Sequence, residues 1–238
     1  MAWAVTAEPQ RFDEAVAWFA NRFPVTEELS EALGSYAGER AWKIAGVAQL
    51  EIVQSAHRSL EAAIASGIPF EDWKEEVEEE LVRAWGGKNS ARLETIFVNA
   101  CQQSQNAGRW SQMNEPTVLA LRPFGMYDSV RDTRTSPFCN AWDGTILPLQ
   151  EFAERGACPQ THHRCRANIR SMRASDVDGR GGPTKTTPTI KADKGFGAPP
   201  TVADWHPDRS KYDPKIWNAY QEKAAELEKS PRRLAKTG

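Results

Sequence analysis

The sequence predicts an α+β protein: a helical N-terminal region, then a small antiparallel β module, then an extended C-terminal arm. Three observations predict it. Apolar residues recur at three- and four-residue steps through the first 115 positions; the period changes to two from Arg122; and from Ser175 Gly, Pro, Thr and Lys displace the apolar residues. The implied organisation is a helical region at 1–115, a β module at 116–174, a linker at 175–204 and an arm at 205–238. A chain of 238 residues that is 40% hydrophobic, with 9 Trp and 9 Phe, has enough apolar surface for a core.

Phe12, Val16, Phe19 and Phe23 stack on one helix face, and Pro24 stops that helix. Thr26 offers the next N-cap, with Glu27 and Glu28 where a helix dipole favours acids. A longer helix is predicted from about Glu39 to Ser66. Its seam is Leu50, Val53, His57, Leu60 and Ile64, and Gly67 suits the C-terminal cap. On that seam His57 reads as a core histidine. Phe70, Trp73, Val77, Leu81 and Trp85 mark the next helix, whose acidic run Glu75–Glu80 reads as its wet side. Gly86 and Gly87 end it. Asn89 or Ser90 then caps a helix to about Met113, with Leu93, Ile96, Phe97, Ala100, Ala107 and Trp110 turned inward.

From Phe124 to Arg134 alternate residues share a side, which predicts a strand. Asp143-Gly144, between Ala141-Trp142 and Thr145-Ile146-Leu147, predicts a two-residue hairpin turn. Cys165 to Met172 predicts another strand. A β module of this size is too small to be stable on its core alone, so a staple is expected. The Gly/Pro/Thr-rich stretch to about Pro200 is a linker or a surface-hugging arm. Beyond it Trp205, Tyr212, Ile216, Trp217 and Tyr220 supply anchors, and a last helix starts near Tyr212-Asp213-Pro214.

Charge and composition exclude several classes. With 30 basic and 32 acidic residues the formal net charge is −2, which argues against wholesale coating of nucleic acid. The distribution is polar, however, with an acidic first half and basic later parts. No apolar run approaches the ~20 residues of a membrane span, and Met1–Gln10 lacks the pattern of a secretory signal. There is no phosphate-binding glycine loop and no G-x-S-x-G, so neither a catalytic residue nor a small-molecule substrate is expected.

Cys139, Cys158 and Cys165 lie close together in the sequence, with His162 and His163 among them, whereas Cys101 sits alone in a helical pattern. Zinc in a structural site wants four soft or borderline donors in a tetrahedron. Cys158-x3-His162 and His162-x2-Cys165 give three, and Cys139 offers a fourth, so Cys139, Cys158, His162 and Cys165 are the candidate ligands of a structural zinc. A dry, hydrogen-bonded cluster is the alternative; a catalytic metal is disfavoured because no acid stands beside the knuckle. Arg164, Arg166, Arg170 and Arg173 form a basic strip, in which Arg164 and Arg166 would point the same way if the segment were extended. The strip meets either phosphate or an acidic protein face, or pairs with Asp128, Asp132 or Asp143 inside the module. Arg164, Arg166 and Arg170, with Trp205, Tyr212 and Trp217, are the candidate partner-binding residues.

Several runs resemble the phage Mu F-like minor head protein family. They are Arg122-Pro123-Phe124-Gly125-Met126-Tyr127-Asp128-Ser129-Val130, Asp132-Thr133-Arg134-Thr135-Ser136-Pro137, Trp142-Asp143-Gly144-Thr145-Ile146-Leu147-Pro148 and the closing Cys165-Arg166. Phe12-Asp13-Glu14-Ala15, Arg40 to Val47, Gly67 to Trp73 and Gly195-Phe196-Gly197 extend the resemblance in the same order. The family's second cysteine near Ser136 and its Cys-Arg-Cys are replaced here by Ser136 and by Cys165-Arg166-Ala167. The resemblance implies a minor capsid protein of a tailed-phage or prophage-like particle, acting in head morphogenesis. It implies a place in the virion head at or near the portal vertex, with assembly in the bacterial host cytoplasm. The implied partners are the portal protein, neighbouring head proteins and the packaged DNA, with no membrane and no enzymatic activity.

Overall fold

The computed structural model describes residues 12–28, 30–31, 41–200, 218 and 221. Its chain divides into two packed units, one containing the described residues up to Leu93 and the other Glu94–Val202.

In the first unit α1 (Asp13–Ala20) buries Ala15, Val16, Trp18 and Phe19. It ends before the predicted Phe23, because Asn21 takes over as C-cap and its side-chain Nδ2 donates to the Ala17 carbonyl at 2.8 Å. Phe23 instead lies in a short strand, β1 (Phe23–Pro24), parallel to β2 (Ala41–Trp42). The Val25 N–H continues that pairing, donating to the Trp42 carbonyl. Residues 27–28 and 30–31 are helical after Thr26, as the cap predicts. The long helix predicted from Glu39 is shorter: β2 occupies its first described residues, and α2 spans only Leu50–Ser66. Gly67 closes it in the left-handed conformation, φ 67°, where a side chain would be strained.

α2 packs against α1 and against α3 (Phe70–Trp85), which buries Trp73, Val77 and Leu81 and leaves its glutamates outward. His57 is a core residue, stacked on Phe19 with ring centroids 4.6 Å apart and edge-on to Trp42 at 5.3 Å.

α4 (Ser90–Asn114) starts where Asn89 Oδ1 accepts the Arg92 N–H at 3.0 Å. Its apolar face carries Ala100, Ala107, Trp110 and Met113 into the second unit's interior. After α5 (Pro116–Leu121) comes the central strand of a three-stranded antiparallel sheet, β3 (Phe124–Asp128), flanked by β4 (Ile146–Pro148) and β5 (Asn168–Met172). The register pairs Met126 with Ile146 on one side and with Arg170 on the other.

Two sequence expectations fail in this region. β3 stops at Asp128 rather than running to Arg134. There Asp132 nucleates a turn, its Oδ1 accepting the Arg134 N–H and its own N–H donating to Thr135 Oγ1. The hairpin around Asp143-Gly144 is absent, because Pro137–Trp142 forms a helix, α6. Ser136 at the N-cap and Pro137 at the first position start it, and they outweigh the Asp-Gly turn signal. Asp143 keeps φ −56°, only Gly144 turns to positive φ, and β4 pairs with β3.

α6 and α7 (Leu149–Glu154) cover the sheet with Phe138, Trp142, Leu149 and Phe152 around the fully buried Tyr127. Gly125 lets them close, since a Cβ there would lie 2.6 Å from Ile169 Cγ2. From the end of α8 (Ala174–Asp178) to residue 200 the chain runs without regular structure but is tied to the module. The Thr184 N–H donates to the Ile146 carbonyl, Gly197 N–H to Gln160, and Cys158 N–H back to Gly197. Trp205, Tyr212 and Trp217 lie outside the described residues, as does the arm apart from Asn218 and Gln221. Among the described residues no helix is long and apolar enough to cross a membrane.

Candidate metal centre

The N-terminal turn of α6 and the loop 158–165 bring Cys139, His162 and Cys165 together, with their donor atoms all within 4.8 Å of one another. Cys139 Sγ stands 3.2 Å from His162 Nε2 and 3.8 Å from Cys165 Sγ. Both thiols are buried. Cys158 is also buried but stands apart from this group, in the core beside Asn106, Arg109 and Trp110. Burial alone pushes its thiol up to about 12 and that of Cys101 up to about 11, so neither presents a ready thiolate.

The surroundings prepare the three donors. His162 Nδ1 lies 2.8 Å from the His163 carbonyl, which can only accept, so Nδ1 carries the proton. The Nε2 lone pair then faces Cys139 and the Ser136 hydroxyl, 2.8 Å away. This is the tautomer a metal-binding histidine needs, fixed by a hydrogen bond at the other ring nitrogen. Ser136 also caps α6 by accepting the Cys139 N–H at 3.1 Å, which holds Cys139 in the first helical turn. The Cys165 thiol's hydrogen bond draws the Cys139 thiol well below its ordinary range, with further help from Ser136, Tyr127 and His162. Cys165 moves the opposite way, because of the same partner and its own burial. Tyr127 Oη, 3.4 Å from Cys139 Sγ, and Thr161 Oγ1, 3.3 Å from Tyr127 Oη, complete the polar lining. Two thiols and an imidazole of fixed tautomer fit a soft divalent ion such as zinc and supply three corners of a tetrahedron.

Asn99, on α4, anchors the loop that carries two of these donors. Its Oδ1 accepts the Arg164 N–H at 2.7 Å and the Gln160 side-chain N–H at 3.2 Å, and its Nδ2 lies 2.8 Å from His163 Nδ1. Neither Asn99 nor Tyr127 stands out in the sequence as part of a site. The one hint is a polar side chain at position 99, among inward Ile96, Phe97 and Ala100.

The basic strip is not extended. Arg164 takes φ 56°, a left-handed conformation, so Arg164 and Arg166 diverge. Arg164 pairs with Glu94, Arg166 grips both oxygens of Asp132, and Arg170 Nε reaches Asp128 at 3.8 Å. Pairing inside the module therefore occupies Arg166, while Arg164 pairs outside it, with Glu94 of α4.

The module up to Arg170, with its Cys/His loop, lies within a stretch that is similar to a known family. Residues 54–170 match the family model described as Phage Mu protein F like protein. A relative from Escherichia phage Mu, described as capsid assembly protein F, is 24% identical over 193 residues. The match covers 74% of this chain and 43% of that protein, so the chain spans less than half the length of the curated relative. No solved structure matches the chain.

Proposed function

We propose that the protein is a minor capsid protein of a tailed phage or prophage-like particle, acting in head morphogenesis at or near the portal vertex. The observation that carries this reading is the Phage Mu F-like match over residues 54–170, which takes in most of α2, all of α3 and α4, and the module up to Arg170. The similar protein of phage Mu is described as a capsid assembly protein, which supports the same role here. At the cysteines themselves the geometry favours a structural role: the clefts nearest Cys139 and Cys158 enclose only about 10 Å³ each. A bound substrate needs several hundred Å³. In this reading Cys139, His162 and Cys165 hold a structural zinc that staples α6 to the loop 158–165. The portal protein and neighbouring head proteins are its partners, and packaged DNA is a further contact.

Fractionation of particles from infected cells tests the proposal. The protein should travel with portal-containing assemblies and be retained in finished heads. Its absence from every portal-containing fraction would reject the reading.

A further inference from the structure

Of the second unit's arginines, Arg131, Arg134, Arg155, Arg164 and Arg166 each pair with an acid of the same unit. Arg109 on α4 and Arg180 after α8 have no such partner among the described residues. Arg122 spends its donors on the neutral Ser171 hydroxyl, at 2.9 Å, and the Ser171 carbonyl, while Arg170 has only the distant Asp128. These four come from four separate segments, yet they line two adjoining clefts along β5 of about 540 and 380 Å³. Arg122, Arg170 and Ser171 are common to both. β5 is an edge strand of its sheet, and among the described residues no further strand covers this side.

Two carboxylates, Asp128 and Asp176, interrupt the lining. They repel an evenly charged phosphate backbone, whereas discrete carboxylates can settle between them, each on a guanidinium fork. The chain itself carries such a set on α3. Asp72, Glu76 and Glu80 are exposed, have no partner among the described residues and follow one another at four-residue steps. That spacing places them in a row about 6 Å apart on a rigid helix. The whole first half of the chain is acidic, so long-range attraction steers the same way.

We propose that the arginine cleft along β5 is a self-association site that receives the acidic α3 face of a second copy of this chain. Each copy has one cleft and one row, so the contact is head to tail, with a different surface from each partner.

Sedimentation of the full chain tests this at about 0.1 M and about 1 M salt, where the screening length falls from ~10 to ~3 Å. Association should appear at the lower salt and vanish at the higher. The double variants R109E/R180E and E76K/E80K should each associate at least about tenfold more weakly, because like charges then meet. Mixed together they should form a 1:1 complex, since one keeps an intact row and the other an intact cleft. The substituted side chains are exposed, and the mixing result itself reports folded surfaces. A chain that stays monomeric at the lower salt, or variants that associate like the parent, would overturn the proposal. So would a monomeric chain that binds a short DNA duplex through Arg109 and Arg180, which would make the cleft a phosphate site.

Discussion

Asn99 Oδ1 accepts the backbone N–H of Arg164 at 2.7 Å, across 65 positions of sequence. The bond holds Arg164 in its left-handed conformation and so sets the path of the chain between His162 and Cys165. With Gln160 and His163 also bonded to it, one amide organises the loop that carries two of the three candidate ligands.

Replacing Asn99 with Leu should therefore cost about 1–3 kcal/mol of stability, the range for leaving hydrogen-bonding groups unpaired. Urea unfolding of the full chain measures it. Soft-metal affinity should fall in the same variant, since the ligand loop loses its anchor. A variant as stable as the parent would show that the loop is held by its flanking residues alone.

How much of this was readable in advance depends on how local each signal is. Gly67 and Gly86 as caps, the Trp73–Val77–Leu81 stripe and the inward face of α4 follow from helical spacing, and the structure has them. The turn at Asp143-Gly144 carries an equally local signal but loses to Ser136-Pro137, which starts a helix immediately upstream. β2 within the expected long helix is a parallel pairing with β1, and no local pattern announces a partner about 18 residues away. The cluster of Cys139, His162 and Cys165 was legible as residue types. The separate place of Cys158 was not, because it depends on the hydrogen bond from its N–H to Gly197, far along the chain.

Cobalt is a direct probe of the ligand set, because thiolate ligation gives an intense charge-transfer absorption. The parent chain should take up one equivalent, and Cys139→Ser or Cys165→Ser should remove most of the signal. Cys158→Ser should retain it, since that thiol stands outside the group and burial holds it protonated. Chelation should lower the melting temperature of the metal-loaded protein, as expected where binding contributes to folding. Signal lost equally in all three variants would redraw the site to include Cys158.

Gly125 makes a steric prediction. A methyl group there would meet Ile169 Cγ2 at 2.6 Å and Phe152 Cε2 at 3.0 Å, in the interior where β3, β5 and α7 close together. Gly125→Ala should destabilise the chain by about 1–3 kcal/mol, the usual cost of overpacking. Gly144→Ala meets no atom and pays only for its positive φ of 76°, so it should cost less. Thermal melts of the two variants, compared side by side, give the ordering; equal effects would mean that the sheet shifts to admit the methyl.

Acid should weaken the chain through Asp143. Burial raises the pKa of this carboxyl, but hydrogen bonds from the Ser129 N–H and hydroxyl, both at 2.8 Å, and from Arg131 outweigh it, leaving the value below the ordinary 3.8. A carboxyl whose folded pKa is depressed binds its proton more weakly in the folded state than in the unfolded one. Its contribution is therefore complete above pH 3.8 and is lost as pH falls from there through the folded value. Asp143→Asn keeps an accepting oxygen for Ser129 but removes the charge facing Arg131. It should be about 1–2 kcal/mol less stable than the parent at neutral pH, in the range of hydrogen bonds to charged groups. Below pH 3.8 the parent should lose that advantage, and the two stabilities should converge. Denaturant unfolding at a series of pH values from 7 down to about 2.5 measures both; a gap that stays constant across the series would mean that the ionised carboxylate adds nothing beyond its shape.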